Sequence, residues 1–216
     1  MAIWEDGSIK AKCFESMARG QSEALVPMID TVLKQAGIAP LELDMLAVTT
    51  GPGAFTGVRI GLATARGFAL ATGRPLIGIS TFEVLAHSVA PDARAGRSVL
   101  CVIDTKRGDV FLQEFDQDLH PVGEAFVATY EEVLVKLANQ DADAAFILAG
   151  DGAPLVLASK DGPDVDACVV QPDAVVVARI AAGRDVPKVG AMPPGPVYLR
   201  PPEAKKSPNG GRLRQQ

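Results

Sequence analysis

Histidine is scarce in this chain: His87 and His120 are the only two among 216 residues. They are far apart and form no H-E-x-x-H pattern, which argues against a zinc protease. A G-x-S-x-G nucleophile elbow is also missing, because "GIST" (78–81) breaks it. Cysteine is equally sparse. Cys13, Cys101 and Cys168 are distant from one another and lie in apolar, strand-like stretches. They offer neither metal-ligand spacing nor a disulfide framework, and read as small buried hydrophobes of a reducing, cytoplasmic compartment. Positive charge is not in excess either. The net charge is −5 at pH 7, so binding of nucleic acid by this chain alone through phosphates is not expected. The basic residues Lys205, Lys206, Arg212 and Arg214 belong to "EAKKSPNGGRLRQQ", which has the composition of a solvated tail. No apolar run reaches the length of a membrane span, and "MAIWEDGSIK" has neither the basic nor the apolar region of a signal peptide.

Hydrophobic residues make up 48% of the chain and charged residues 22%, the balance of a globular protein with a sizeable core. "AIWEDGSIKAKCFE" predicts a hairpin turning at Asp6-Gly7. "QSEALVPMIDTVLKQAG" predicts a helix, because Leu25, Met28, Ile29, Val32 and Leu33 recur at helical spacing. Ser22 is its expected N-cap and Gly37 its stop; Pro27 fits only near the first turn. "LDMLAVTT" and "RPLIGIS" read as buried strands, and "STFEVLAHSVA" as a helix opened by a Ser80–Glu83 capping box. "PDARAGRS" is a polar break. Beyond it come strands at "VLCVID", "DVFLQEFD" and "PVGEAFVAT", then a helix at "YEEVLVKLAN" with Tyr130, Val133, Leu134 and Leu137 on one side. "AAFILAGDG", "APLVLASK", "DACVVQP" and "DAVVVARIAAG" follow as strand, helix, strand and helix. The second half thus repeats the order of the first behind one extra leading strand. This predicts two related α/β lobes, each with a mixed sheet. The expected division is 1–95, 96–190 and a tail over 191–216.

The stretch "VTTGPGAFTGVRIGLATARG" (48–67) has the strand–loop–helix order of a phosphate cradle. It nevertheless fails the two motifs it resembles. A Walker A loop needs Lys-Ser/Thr after its second glycine, and Gly57 is followed by Val58 and Arg59. The dinucleotide fingerprint needs a third glycine where Thr56 stands. Gly51-Pro52-Gly53 is good turn chemistry on its own. The helix behind the loop is more informative. Gly57, Gly61, Ala65 and Ala69 form one small-residue stripe and Ala63, Gly67 and Ala71 another; only Arg59 and Arg66 are charged. A helix apolar nearly all round needs cover on both sides. Interior glycines, each costing about 1 kcal/mol against alanine, suit a close helix contact within the chain or with a partner. "IDTKRGDVF", with Asp104, Lys106 and Asp109, reads as a charged hairpin turn or as the metal–phosphate turn of an actin-like ATPase.

With these residues assembled, the chain resembles the bacterial TsaB (YeaZ) family. The resemblance rests on "ARGQSEALVPMIDTVLKQAG", on "VTTGPGAFTGVRIGLATARGFALATGRPLIGISTFEVLA" and on "PVYLRPPEAKK". It implies the α/β actin/Hsp70-like ATPase (ribonuclease H-like) fold, with two lobes related by duplication. It also implies a non-catalytic scaffold in making threonylcarbamoyladenosine, beside the anticodon of tRNAs that read codons starting with A. The implied partners are a TsaD-like catalytic subunit, held as a heterodimer, and a TsaE-like ATPase. tRNA would be met only through that complex, and a homodimer could form in the partner's absence. The helix bundle of the family, carried over, uses the helices at 23–36 and 57–72. Its expected interface residues are Leu25, Met28, Ile29, Val32, Gly57, Val58, Ile60, Gly61, Ala65 and Phe68. No catalytic, metal or cofactor residue is assigned to this chain; ATP or ADP and Mg would belong to the complex. The alternatives are an actin-fold ATPase or phosphotransferase using Gly51–Gly57 and Asp104, and, further off, a glycoprotease-like peptidase. One departure stands out. Family members begin with a strand carrying Asp-Thr-Ser, and this sequence starts inside the hairpin that follows it. The expectation is that about twenty more residues precede Met1 in the native protein.

Overall fold

In the computed structural model, residues 1–17, 19–139, 146–158, 166–169, 171–188 and 190–200 are described. The hairpin forms as expected, β1 (Ala2–Glu5) against β2 (Ser8–Lys12), with Asp6 and Gly7 both at positive φ. Helix α1 (Gln21–Ala36) starts earlier than the 23–36 span, behind Gly20 at φ 87°. Ser22 is therefore inside the helix and not its cap; its hydroxyl donates to Glu23 instead. Pro27 is consequently beyond the first turn, where it withholds one helical hydrogen bond. Gly37 closes α1 in the left-handed conformation, as its place after the periodic run predicts.

Strand β3 (Leu46–Thr49) leads into helix α2 (Phe55–Thr72), then strand β4 (Leu76–Ile79) and helix α3 (Thr81–Ser88). A short helix α4 (Pro91–Arg94) fills the polar break. The Ser80–Glu83 capping box does not form. Ser80 occupies the N-cap without a side-chain bond, because Glu83 is drawn away to pair with Arg184. An unanticipated capping box forms at Thr129 and Glu132, heading helix α5 (Tyr130–Ala138). Its S/T-x-x-E pattern is plain in "TYEE".

The second half builds one five-stranded sheet, in the order β7-β6-β5-β8-β9. Its strands are β5 (Val99–Asp104), β6 (Val110–Phe115), β7 (Pro121–Ala128), β8 (Ile147–Ala149) and β9 (Ala167–Val169). β5 is central, antiparallel to β6 and parallel to β8. It is buried on both faces, as a covered central strand must be. Leu100 and Val102 point to α5 and α6 (Ala153–Leu157), against Val133, Leu137 and Val156. Val99, Cys101 and Ile103 point the other way, onto Phe82, Leu85 and Ala86 of α3. Burial pushes the Cys101 thiol far above its ordinary value, which makes it inert packing.

Helix exchange ties the halves together. α3 belongs by sequence to the first half but covers the sheet of the second. The last helix, α7 (Ala174–Ala182), returns the favour: Val176 and Val177 pack with Ile79 and Ala47 of the first-half strands. The first half matches the second element for element except at its centre. It has two separate two-stranded sheets, β1-β2 and the parallel pair β3-β4. Among the described residues, nothing pairs with the edges of β1 and β3 that face each other.

Candidate functional site

The glycine-rich loop has a partner within its own chain. Residues 191–200 run across it as a strap. The Val197 N–H donates to the Thr50 carbonyl at 2.9 Å, and the Thr81 N–H donates to the Gly51 carbonyl at 2.9 Å. Gly51 and Pro52 are buried. Gly51 has φ +97°, and a Cβ there would lie 3.5 Å from the Val197 carbonyl and 3.6 Å from both Val58 methyls. Those are ordinary contact distances, so it is the positive φ that calls for glycine here, a reason that turn chemistry supplies without any phosphate.

The two arginines of α2 hold this strap. The Arg66 Nε and Nη2 donate to the Pro194 carbonyl at 3.1 and 2.5 Å. The Arg59 guanidinium sits 3.1 Å above the Phe55 ring and 5.1 Å from that of Tyr198. Beyond the strap, Leu199 packs into the second-half core and Arg200 pairs with Asp109. Spacing along α2 placed both arginines on one side of the helix; it carried no signal for which distant segment they meet.

The charged turn after β5 is tied to Asp151, just past β8. The Asp104 carboxylate accepts the Lys106 amide at 2.7 Å and its ammonium at 2.8 Å, and the Asp104 N–H donates to Asp151 at 2.9 Å. Lys106 also reaches Asp151 at 3.3 Å. Burial pushes the Asp104 carboxyl up, but the Lys106 contacts outweigh it and hold the group below its ordinary value. The folded state therefore favours the charged form. Its contribution is complete above the unfolded pKa of about 3.9 and is lost as pH falls through the lowered folded value. Asp104→Asn is expected to flatten the acid limb of the stability curve, read as urea midpoints between about pH 5 and pH 2. An unchanged limb would contradict this assignment.

The expected interface positions divide into groups. Leu25, Ile29, Val32, Gly61, Ala65 and Phe68 line an apolar cleft of about 760 Å³ between β1 and β3. Val32 is buried, and a Cβ on Gly61 would meet Val48 of β3 at 3.9 Å. Val58 lies beneath the loop. Met28 and Ile60 are half-buried and Gly57 is exposed. The outer side of α2 carries the second small-residue stripe. Ala63, Gly67 and Ala71 are exposed beside Leu70, which is 86% exposed, and a Cβ on Gly67 would meet nothing within 4 Å. Val26 of α1 is exposed as well. His87 is half-buried in the last turn of α3 and His120 lies 3.5 Å from Asp116 in an exposed turn. The tail with Lys205, Lys206, Arg212 and Arg214 lies outside the described residues, as does the Cys168 side chain. No helix among the described residues is long and apolar enough to cross a membrane.

A mixed five-stranded sheet, a second half-sheet of matching order and the exchange of helices between them define an α/β protein of the actin/Hsp70-like ATPase class. Comparison with known proteins agrees. Residues 15–154 match the family described as TsaD, tRNA N6-adenosine threonylcarbamoyltransferase. The tRNA threonylcarbamoyladenosine biosynthesis protein TsaB of Escherichia coli is 33% identical over 154 residues, 70% of this chain and 66% of that protein. The chain thus spans just under two thirds of that relative. A tRNA N6-adenosine threonylcarbamoyltransferase of Erythrobacter litoralis is 45% identical over 69 residues, 32% of this chain and 20% of the enzyme. The solved structure of YeaZ from Pseudomonas aeruginosa superposes with a TM-score of 0.75 at 28% identity, covering 92% of each chain. The chain belongs to the TsaD family, in its TsaB (YeaZ) branch.

Proposed function

We propose that this chain serves tRNA threonylcarbamoyladenosine synthesis as a non-catalytic subunit in the cytoplasm. It docks a TsaD-type catalytic subunit through the outward faces of α1 and α2, and the pair works with a TsaE-type ATPase. The observation that supports the reading best is the outer face of α2, where Ala63, Gly67 and Leu70 are exposed on one stripe. Small residues there let a partner helix approach closely, and an exposed interior glycine is otherwise a cost to the helix. The name of the E. coli relative supports the pathway. The expected interface narrows to Met28, Gly57 and Ile60 together with the Ala63–Gly67–Leu70 stripe, because the other positions face inward.

The test is binding of the purified chain to the TsaD-type subunit of the same organism, by calorimetry and co-elution. Replacing Ala63 and Gly67 together by glutamate buries two unpaired charges in the contact. Affinity is expected to fall roughly 30-fold or more, and transfer of threonylcarbamoyl to tRNA with it. The fold should survive, since both positions are exposed. Undiminished binding by a folded variant would overturn the interface, and absence of any complex with the unaltered chain would overturn the function.

A further inference from the structure

The exposed stripe of α2 begins with an arginine laid on an aromatic ring. Phe55 and Arg59 occupy the two turns ahead of Ala63, Gly67 and Leu70, on the same side of the helix and exposed like them. The Arg59 guanidinium lies 3.1 Å above the Phe55 ring and 5.1 Å from the ring of Tyr198 in the strap, and the ring centres are 6.2 Å apart. Phe55 is 66% exposed and Tyr198 54%, and Val197 beside Tyr198 is exposed as well. Adjoining exposed aromatics around an arginine have the composition of a binding hot spot rather than of an ordinary solvated surface. Stacking engages the flat face of a guanidinium and leaves the N–H donors in its plane. One Arg59 donor makes a long bond to the Phe55 carbonyl, 3.4 Å, and Arg59 has no ion pair among the described residues. The other arginines along the strap are committed, Arg66 to the Pro194 carbonyl and Arg200 to Asp109.

We infer that Phe55, Arg59 and Tyr198 form an anchor that takes one carboxylate side chain of the catalytic subunit, an inference that rests on the docking proposed above. The carboxylate accepts hydrogen bonds from the planar fork of Arg59, the geometry in which guanidinium and carboxylate pair best. The stack on Phe55 holds that fork in place, so little side-chain freedom is lost on binding. A partner helix lying on the stripe closes the two rings over the pair and keeps water from it. The small apolar residues of the stripe allow close approach but carry no direction; the ion pair adds register and partner choice. A run of phosphates is a poorer fit. It needs several open cations, and among the described residues of α2 and the strap Arg59 is the one cation without a commitment.

The test is the affinity of the full chain for the purified TsaD-type subunit, without tRNA, over a series of salt concentrations. Arg59→Gln is expected to weaken the complex roughly tenfold or more and to flatten the rise of Kd with salt. Arg59→Lys keeps the charge without the planar fork and should recover only part of the affinity. Pro194→Gly loosens the strap without changing charge, and should leave the salt dependence as it is. A salt dependence that survives Arg59→Gln would mean that no carboxylate meets Arg59, and overturns the anchor. An effect of Arg59→Gln that appears only when tRNA is added would place a phosphate there, and overturns it too. Anchor and docking fail separately. If glutamates at Ala63 and Gly67 disrupt the complex and Arg59→Gln does not, the anchor alone falls; if the unaltered chain forms no complex, both do.

Discussion

Gly150→Ala is expected to cost roughly 3–5 kcal/mol, among the largest losses any single methyl can cause in this chain. Gly150 follows β8 directly, at φ +118°. A Cβ there would stand 2.2 Å from the Val102 carbonyl oxygen and 3.1 Å from its carbon. Val102 is in the central strand, and its carbonyl also accepts the Gly152 N–H that opens α6, at 3.0 Å. The obstacle is therefore backbone of a central strand, fixed by its pairing with β6 and by the Gly152 bond. A melting temperature about 10 °C lower is expected, read by calorimetry beside Gly67→Ala. That second variant places the same methyl in open space on an exposed helix and should gain up to about 1 kcal/mol. Equal effects from the two would mean that the Val102–Gly150 approach does not matter.

The contrast between these glycines also marks what was legible in the sequence. The second-half elements were readable because their apolar residues recur at clean periods, as at Tyr130, Val133, Leu134 and Leu137, which all pack on the core. Caps were less legible. Ser80–Glu83 fits the capping-box pattern, yet Glu83 pairs with Arg184, a residue 101 positions away. Nothing local encodes that competition. Which sides of α1 and α2 are covered was half legible. Periodicity finds every apolar position on α1 and α2, but it does not say which side meets the sheet. Leu25, Ile29, Val32, Gly61, Ala65 and Phe68 face inward, and the outward stripe was the second one. The strap was invisible, because its contacts span up to 147 residues, from Thr50 to Val197, and follow from the meeting of the two halves.

Gly78→Ala probes that meeting. Gly78 is in the middle of β4, where a Cβ would lie 2.5 Å from Thr50 Cγ2 and 2.6 Å from Pro194 Cβ. Neither atom is the end of a long flexible side chain. Thr50 is buried, its hydroxyl donating to the Ile79 carbonyl at 3.3 Å, and Pro194 is rigid by its ring. The segment that can yield is the strap. Lifting Pro194 pulls its carbonyl from Arg66 and strains the Val197–Thr50 bond. A loss of about 2–3 kcal/mol is expected, with faster amide exchange at Val197. Thr50→Ser and Pro194→Gly each remove one of the two obstructing atoms. Either should recover part of the loss in the Gly78→Ala background while costing stability on its own, a non-additivity that a double-mutant cycle reads directly. Additive effects would mean that β4 bends to admit the methyl, leaving the strap and the loop beneath it undisturbed.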